Sequence, residues 1–288
     1  MASEESHVSI SRAISVMGLP QDAVRKISTD NEGQINITSL EEQYYELKSQ
    51  GRTCLAVIAT AGTTIRGAID PLKEMSDFCE AHKVWLHIDA AIGGAFALSA
   101  STAKIVQNIS KANSITINPQ KLLGIAKTSS LLLVANKDDL FSCFSTGFPY
   151  IEPSQGDEFQ GGEIGLQGTR SAEVLKLWLG LKQLGTNGIT FLLESALRRK
   201  SYFYGKLDHA KFKIITGPLH LLAITPLNTT KNESQKWAIS TKNRLYQNGF
   251  MLSRPHYKGL NYLKAVMGNP HTKLTHIDTL AELINQSI

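Results

Sequence analysis

The chain has 288 residues, of which 42% are hydrophobic, 7% aromatic and 19% charged. That supports a real core, in one large domain or two smaller ones. The net charge of +5 is modest, and no apolar run approaches the ~18 residues of a membrane-spanning helix. The opening "MASEESHVS" has neither a basic nor an apolar region of the kind a secretory signal needs. Cys54, Cys79 and Cys143 are scattered. They fit neither a disulfide framework nor a zinc site, which points to a reducing cytoplasm.

"CLAVIAT" (residues 54–60) reads as a strand. "DPLKEMSDFCEAHK" (residues 70–83) places Leu72, Met75, Phe78 and Cys79 at helical spacing. Asp70 is its candidate N-cap, with Pro71 near the start. "VWLHIDA", "NSITIN" and "SLLLVA" follow as strands. Strands joined by such a helix predict a parallel β-α-β unit buried on both faces. Ligands bind such sheets at the carboxyl ends of the strands. There lie Asp89 and, thirty-two residues on (121 − 89), Lys121.

Residues 147–168 break the pattern with two prolines and six glycines, and a stretch this irregular reads as a functional loop or a disordered one. Helices are predicted at 171–185 and from about 189 to 207. Two strands then flank Gly217-Pro218, a helix runs over 233–249 with Gly249 as its cap, a strand covers 260–267, and a helix closes the chain. The expected division is a larger unit over residues 1–185 and a smaller α+β unit over 186–288. The basic stretch from Arg198 to Lys213 reads as a helix face running into a strand, not as a nucleic-acid contact.

Asp89 and Lys121 read in two ways from spacing alone. A buried acid–lysine pair can tie two strands together, and structural pairs of that kind are common. A lysine at a strand end can also attack a carbonyl, and an aspartate can keep a heteroaromatic nitrogen protonated. Pyridoxal phosphate (PLP) requires both groups. Small residues follow in "DAAIGG", and Ala91 shares a face with Asp89 if the chain stays extended, so a flat ring fits closely. Thr63 and Thr64 lie just beyond another strand end. Turn capping is their commoner use.

The segments "ATAGTTIRGAIDPLKEMSDFCEAHKVWLHIDAAIGGAFALS" and "SITINPQKLLGIAKTSSLLLVANKDDL" resemble the group II PLP-dependent amino-acid decarboxylases, which include the glutamate, 2,4-diaminobutyrate and aromatic amino-acid decarboxylases. "SEESHVSISRAISVMGL", "GLQGTRSAEVLKLWLGLKQLGTNGI" and the C-terminal end extend the likeness along nearly the whole chain. The resemblance implies an α/β, type I PLP-dependent transferase (aspartate-aminotransferase-like) fold with a smaller C-terminal α+β domain. It implies a homodimer that converts an L-amino acid to an amine and carbon dioxide.

By the same resemblance Lys121 forms the Schiff base, Asp89 faces the pyridine nitrogen, Ala91 packs beneath the ring and His7 stacks above it. Thr64 lies near the ring oxygen, and Asn118 and Gln120 help hold the phosphate. Tyr150, in the irregular loop, reprotonates the α-carbon, from its own subunit or the neighbouring one. Tyrosine there favours plain decarboxylation, since relatives that make aldehydes oxidatively tend to carry phenylalanine.

Two departures stand out. The family usually reads N-P-H-K where this chain reads N-P-Q-K, and Gln120 can donate a hydrogen bond but cannot titrate. Family members also extend well upstream of the counterpart of His7, where most phosphate contacts lie. The chain therefore reads as N-terminally truncated, and alone it is expected to bind PLP weakly and turn over little. The rival reading is a non-catalytic fragment or subunit that keeps the fold without a complete phosphate site.

Overall fold

The computed structural model describes residues 1–127, 129–145, 162 and 164–288. Its main sheet contains β1 (Ala2–Ser3), β2 (Lys26–Ile27), β3 (Ala56–Thr60), β4 (Trp85–Asp89), β5 (Ser114–Ile117) and β6 (Leu131–Val134). Their spatial order is β2-β1-β3-β4-β5-β6. All neighbours pair in parallel except β5 and β6, which are antiparallel.

The predicted β-α-β unit is present. Helix α3 (Leu72–His82) crosses from β3 to β4 and buries Leu72, Met75, Phe78 and Cys79, the positions its spacing selected. It packs on β3 and β4 from one side. Burial on both faces does not hold. Along β4, Leu86 and Ile88 are buried, whereas Trp85, His87 and Asp89 are only partly so. The second face is left partly open and borders a cavity, so β4 follows the two-residue alternation of a half-covered strand. Helix α1 (Ser9–Val16), which follows β1, has no buried residue.

Asp70 is not the cap of α3, whose N-cap position is Pro71. Its carboxylate instead accepts the backbone N–H of Thr60 at 2.7 Å and of Ile35 at 2.8 Å. It thereby ties the end of β3 to the turn preceding α2 (Ile37–Ser49). Burial raises its pKa to about 6, against the lowering effect of those two N–H donors.

Beyond the loop after β6 and α4 (Asp138–Phe144), α5 spans Val174–Lys206. It breaks at Gly185, with φ 56° and ψ −178°. Glycine tolerates that backbone, so the two predicted helices meet there. A three-stranded antiparallel sheet follows, built from β7 (Phe212–Thr216), β8 (Leu221–Pro226) and β11 (Leu263–Val266). The short hairpin β9 (His256–Tyr257) and β10 (Leu260–Asn261) precedes β11. Helix α6 (Lys231–Gln247) opens with a Thr230/Glu233 capping box, and α7 (Leu274–Asn285) closes the chain. One apolar cluster gathers Met1 through Ala196 with Leu219, and a second gathers Phe203 through Ile284.

Asp70→Asn leaves one of two buried N–H donors facing an amide NH2. A loss of about 1–3 kcal/mol is expected, read as a lower denaturant midpoint at unchanged slope. The folded chain holds a proton at Asp70 up to about pH 6, whereas an unfolded aspartate releases it near pH ~4. Stability from this group is therefore present below about pH 4 and declines as pH rises through that window. The decline should vanish in the variant.

Candidate active site

The carboxyl ends of β3, β4 and β5 open onto a cavity of about 260 Å³. In register, Thr60 on β3 and Thr116 on β5 flank Asp89 on β4. All three line the cavity with His7, Thr64, Ala91, Asn118 and Lys121. Six of the residues singled out from sequence thus share one space. Gln120 is not among its lining residues, although its Oε1 is buried without a hydrogen-bond partner. Tyr150 lies outside the described residues.

Local chain geometry accounts for this gathering. After Asp89 the backbone turns back across the end of β3, and Gly93 N–H donates to Ala61 O at 2.9 Å. A Cβ on Gly93 would lie 2.3 Å from that oxygen, so the approach demands glycine. Asp89 Oδ1 accepts Ala91 N–H at 3.1 Å, which leaves the second oxygen free. Ala91 O in turn accepts Asn118 N–H at 3.3 Å, tying the loop after β4 to the end of β5. The turn Pro119–Lys121 then carries Lys121 to the cavity. Ser130 donates to Asn118 Oδ1 at 2.6 Å. Across the cavity, His7 Nδ1 accepts Ser9 N–H at 3.2 Å at the start of α1.

Charge in the site is set by burial more than by pairing. The Lys121 side chain keeps solvent contact, yet desolvation by the surrounding protein lowers its pKa, while Asp89 acts to raise it. His87 is shifted down by burial against the same opposing carboxylate. A lysine whose ammonium is disfavoured offers more free amine for attack on a carbonyl.

Several residues escaped the sequence reading. Thr60 Oγ1 is buried beside Asp89 without a partner. His87 and Thr116 also line the cavity. Two-residue spacing from Asp89 and Asn118 would have flagged both as sharing a face. Lys264 had no local signal. It reaches the site from β11, donates to Thr64 O at 3.1 Å, and has its pKa lowered by burial and then by the positive charge of Lys121.

The model of the pyridoxal-dependent decarboxylase conserved domain matches residues 1–224. The acidic amino acid decarboxylase GADL1 of Homo sapiens is 30% identical over 303 aligned positions, covering 98% of this chain and 58% of that protein; the Bos taurus counterpart matches equally. The crystal structure of mouse CSAD in apo form superimposes with a TM-score of 0.87 at 27% identity, over 99% of this chain and 63% of that one. Oryza sativa TDC with PLP and tryptamine gives a TM-score of 0.91 at 20% identity, a likeness of fold. The chain spans about three-fifths of the length of these proteins.

Among the described residues, Asp89 is the one group acting to raise the Lys121 pKa. Asp89→Asn should therefore depress it further. The check is the pH titration of the Lys121 resonance after reductive ¹³C-methylation, and an upward or absent shift would contradict the coupling.

Proposed function

Because this chain belongs to the pyridoxal-dependent decarboxylase family and has the type I fold of PLP-dependent enzymes over 63% of the length of mouse CSAD, we propose that it serves PLP-dependent decarboxylation of an L-amino acid. The reading rests on one observation above all: Asp89 and Lys121 line the same cavity, with Ala91 and Thr64 between the same walls. The residues present fit PLP. Thr60 Oγ1, buried at the cavity wall without a partner, is a polar atom in want of a ligand or water, and the acid and the amine match the two ends of its chemistry. When bound, PLP supplies a ring that accepts the electron pair left as carbon dioxide departs.

The chain's own groups do the rest. Lys121 would hold the cofactor through its amine, helped by its lowered pKa. The second oxygen of Asp89 would keep the ring nitrogen protonated. His7, Thr64 and Ala91 would hold the ring, and Asn118 and Gln120 the phosphate. Tyr150 would deliver a proton to the α-carbon.

The same reading proposes a cytoplasmic homodimer. Unpaired Cys54, Cys79 and Cys143 suit a reducing compartment. Among the described residues, no helix is long and apolar enough to cross a membrane. It also proposes the division at residues 185 and 186, supported by the break at Gly185.

Borohydride reduction in the presence of PLP, followed by peptide mapping, should place the label on Lys121. A label on Lys104 or Lys127 would sink the assignment. Asp89→Asn should leave the fold intact and cut carbon-dioxide release at least about a hundredfold. The assay uses glutamate, 2,4-diaminobutyrate and aromatic amino acids. No visible absorbance with PLP and no release from any of them would favour the non-catalytic reading.

A further inference from the structure

Behind Asp89, on the same face of β4, stand His87 and Trp85. Their neighbours on β5 are Ser114, in register with His87, and Thr116, in register with Asp89. Trp85 Nε1 donates to Ser114 Oγ at 2.8 Å. Ser114 Oγ lies 2.8 Å from His87 Nδ1, and His87 Nε2 lies 3.3 Å from Thr116 Oγ1. Four side chains thus form one row that ends beside the carboxylate.

The row has a direction. An indole N–H only donates, and a hydroxyl carries one proton. Ser114 accepts from Trp85, so its own proton is free to go to His87 Nδ1. If Nδ1 carried a proton instead, the hydroxyl proton of Ser114, a buried residue, would have no acceptor in the row. Nε2 therefore carries the imidazole proton and donates to Thr116. Thr116 keeps its hydroxyl proton for an acceptor in the cavity it shares with Asp89.

We propose that His87 is a positioning residue, held by Trp85 and Ser114 as the neutral Nε2–H tautomer, that keeps a competing cation away from Asp89. The role rests on the assignment of Asp89 to the ring nitrogen. A second positive charge two residues along β4 would draw on the same carboxylate and weaken its hold on the ring proton. Burial of the imidazole acts in the same direction, against the pull of Asp89. The other titratable groups lining the cavity are Lys121 and His7, and β3 presents none toward it. Protonating His87 would turn Nδ1 into a second donor to Ser114 and leave the hydroxyl proton of that serine with no acceptor in the row, so the row itself resists the charged form.

Two measurements test this. The first needs no cofactor. In ¹⁵N-histidine-labelled chain, His87 is assigned by His87→Gln. From about pH 6 to pH 8, around the ordinary histidine range, it should show an unprotonated Nδ1 and a protonated Nε2. Trp85→Phe removes the donor-only end and should give a tautomer mixture or an earlier protonation. A wild-type Nδ1–H form, a doubly protonated ring at neutral pH, or indifference to Trp85→Phe overturns the proposal.

The second follows the visible absorbance of the PLP-loaded protein against pH. His87→Lys, which places a cation in the row, should move the titration midpoint by about one unit, a tenfold change in proton affinity. His87→Gln should leave it at the wild-type value, since its amide is neutral and can accept from Ser114 and donate to Thr116. A titration unmoved by Asp89→Asn overturns the assignment of Asp89, and this role with it. One moved by Asp89→Asn but not by His87→Lys overturns the role of His87 alone.

Discussion

The parallel ladder of β3, β4 and β5 is the constraint on which the site depends. In-register pairing sets Thr60, Asp89 and Thr116 side by side at the strands' carboxyl ends. A slip of one residue on β4 would turn Asp89 into the packed face against α3. Two contacts hold the end of the ladder. The Asp70 carboxylate receives the N–H of Thr60, and the loop after Asp89 lies against Ala61 O through Gly93. Both lie at the edge of the cavity, so the packing that completes the sheet also shapes the site.

Burial and charge then oppose one another, and at each central group burial has the larger effect. It lowers Lys121 and His87 although Asp89 favours their charged forms. It lowers Lys264, where Lys121 adds to the same direction. Burial therefore disfavours the charged forms of the amine and the imidazole, while the Asp89 carboxylate favours them.

The C-terminal part contributes from a distance. Arg199 of α5, a buried residue, donates from Nε to Met267 O at 3.0 Å, and Lys200 donates to Gly217 O at 3.1 Å. These bonds pin α5 to the strands and turns that follow it. Tyr257 on β9 donates to the Glu5 carboxylate, just before His7. Through such ties β11 is held where Lys264 reaches Thr64 O.

Local pattern carried much of the architecture. Residues 72, 75, 78 and 79 marked α3 because a helix repeats every 3.6 residues and buries one stripe. Apolar runs marked β3 through β6. "DAAIGG" was legible as a stretch of small side chains but read as extended, and the turn by which Gly93 meets Ala61 O appeared only in the structure. Asp89, Ala91 and Lys121 were legible as neighbours of one cavity because they followed strand ends in order. The sequence could not reveal that Asp70 binds two distant backbone N–H groups rather than capping its own helix. Nor could it show that one sheet face stays half open, since alternation over five residues is too short to separate the cases. The row from Trp85 to Thr116 and the arrival of Lys264 were decided by tertiary structure alone. They join residues 29 and 200 positions apart, and contacts across such separations are fixed by strand register and packing rather than by any local preference.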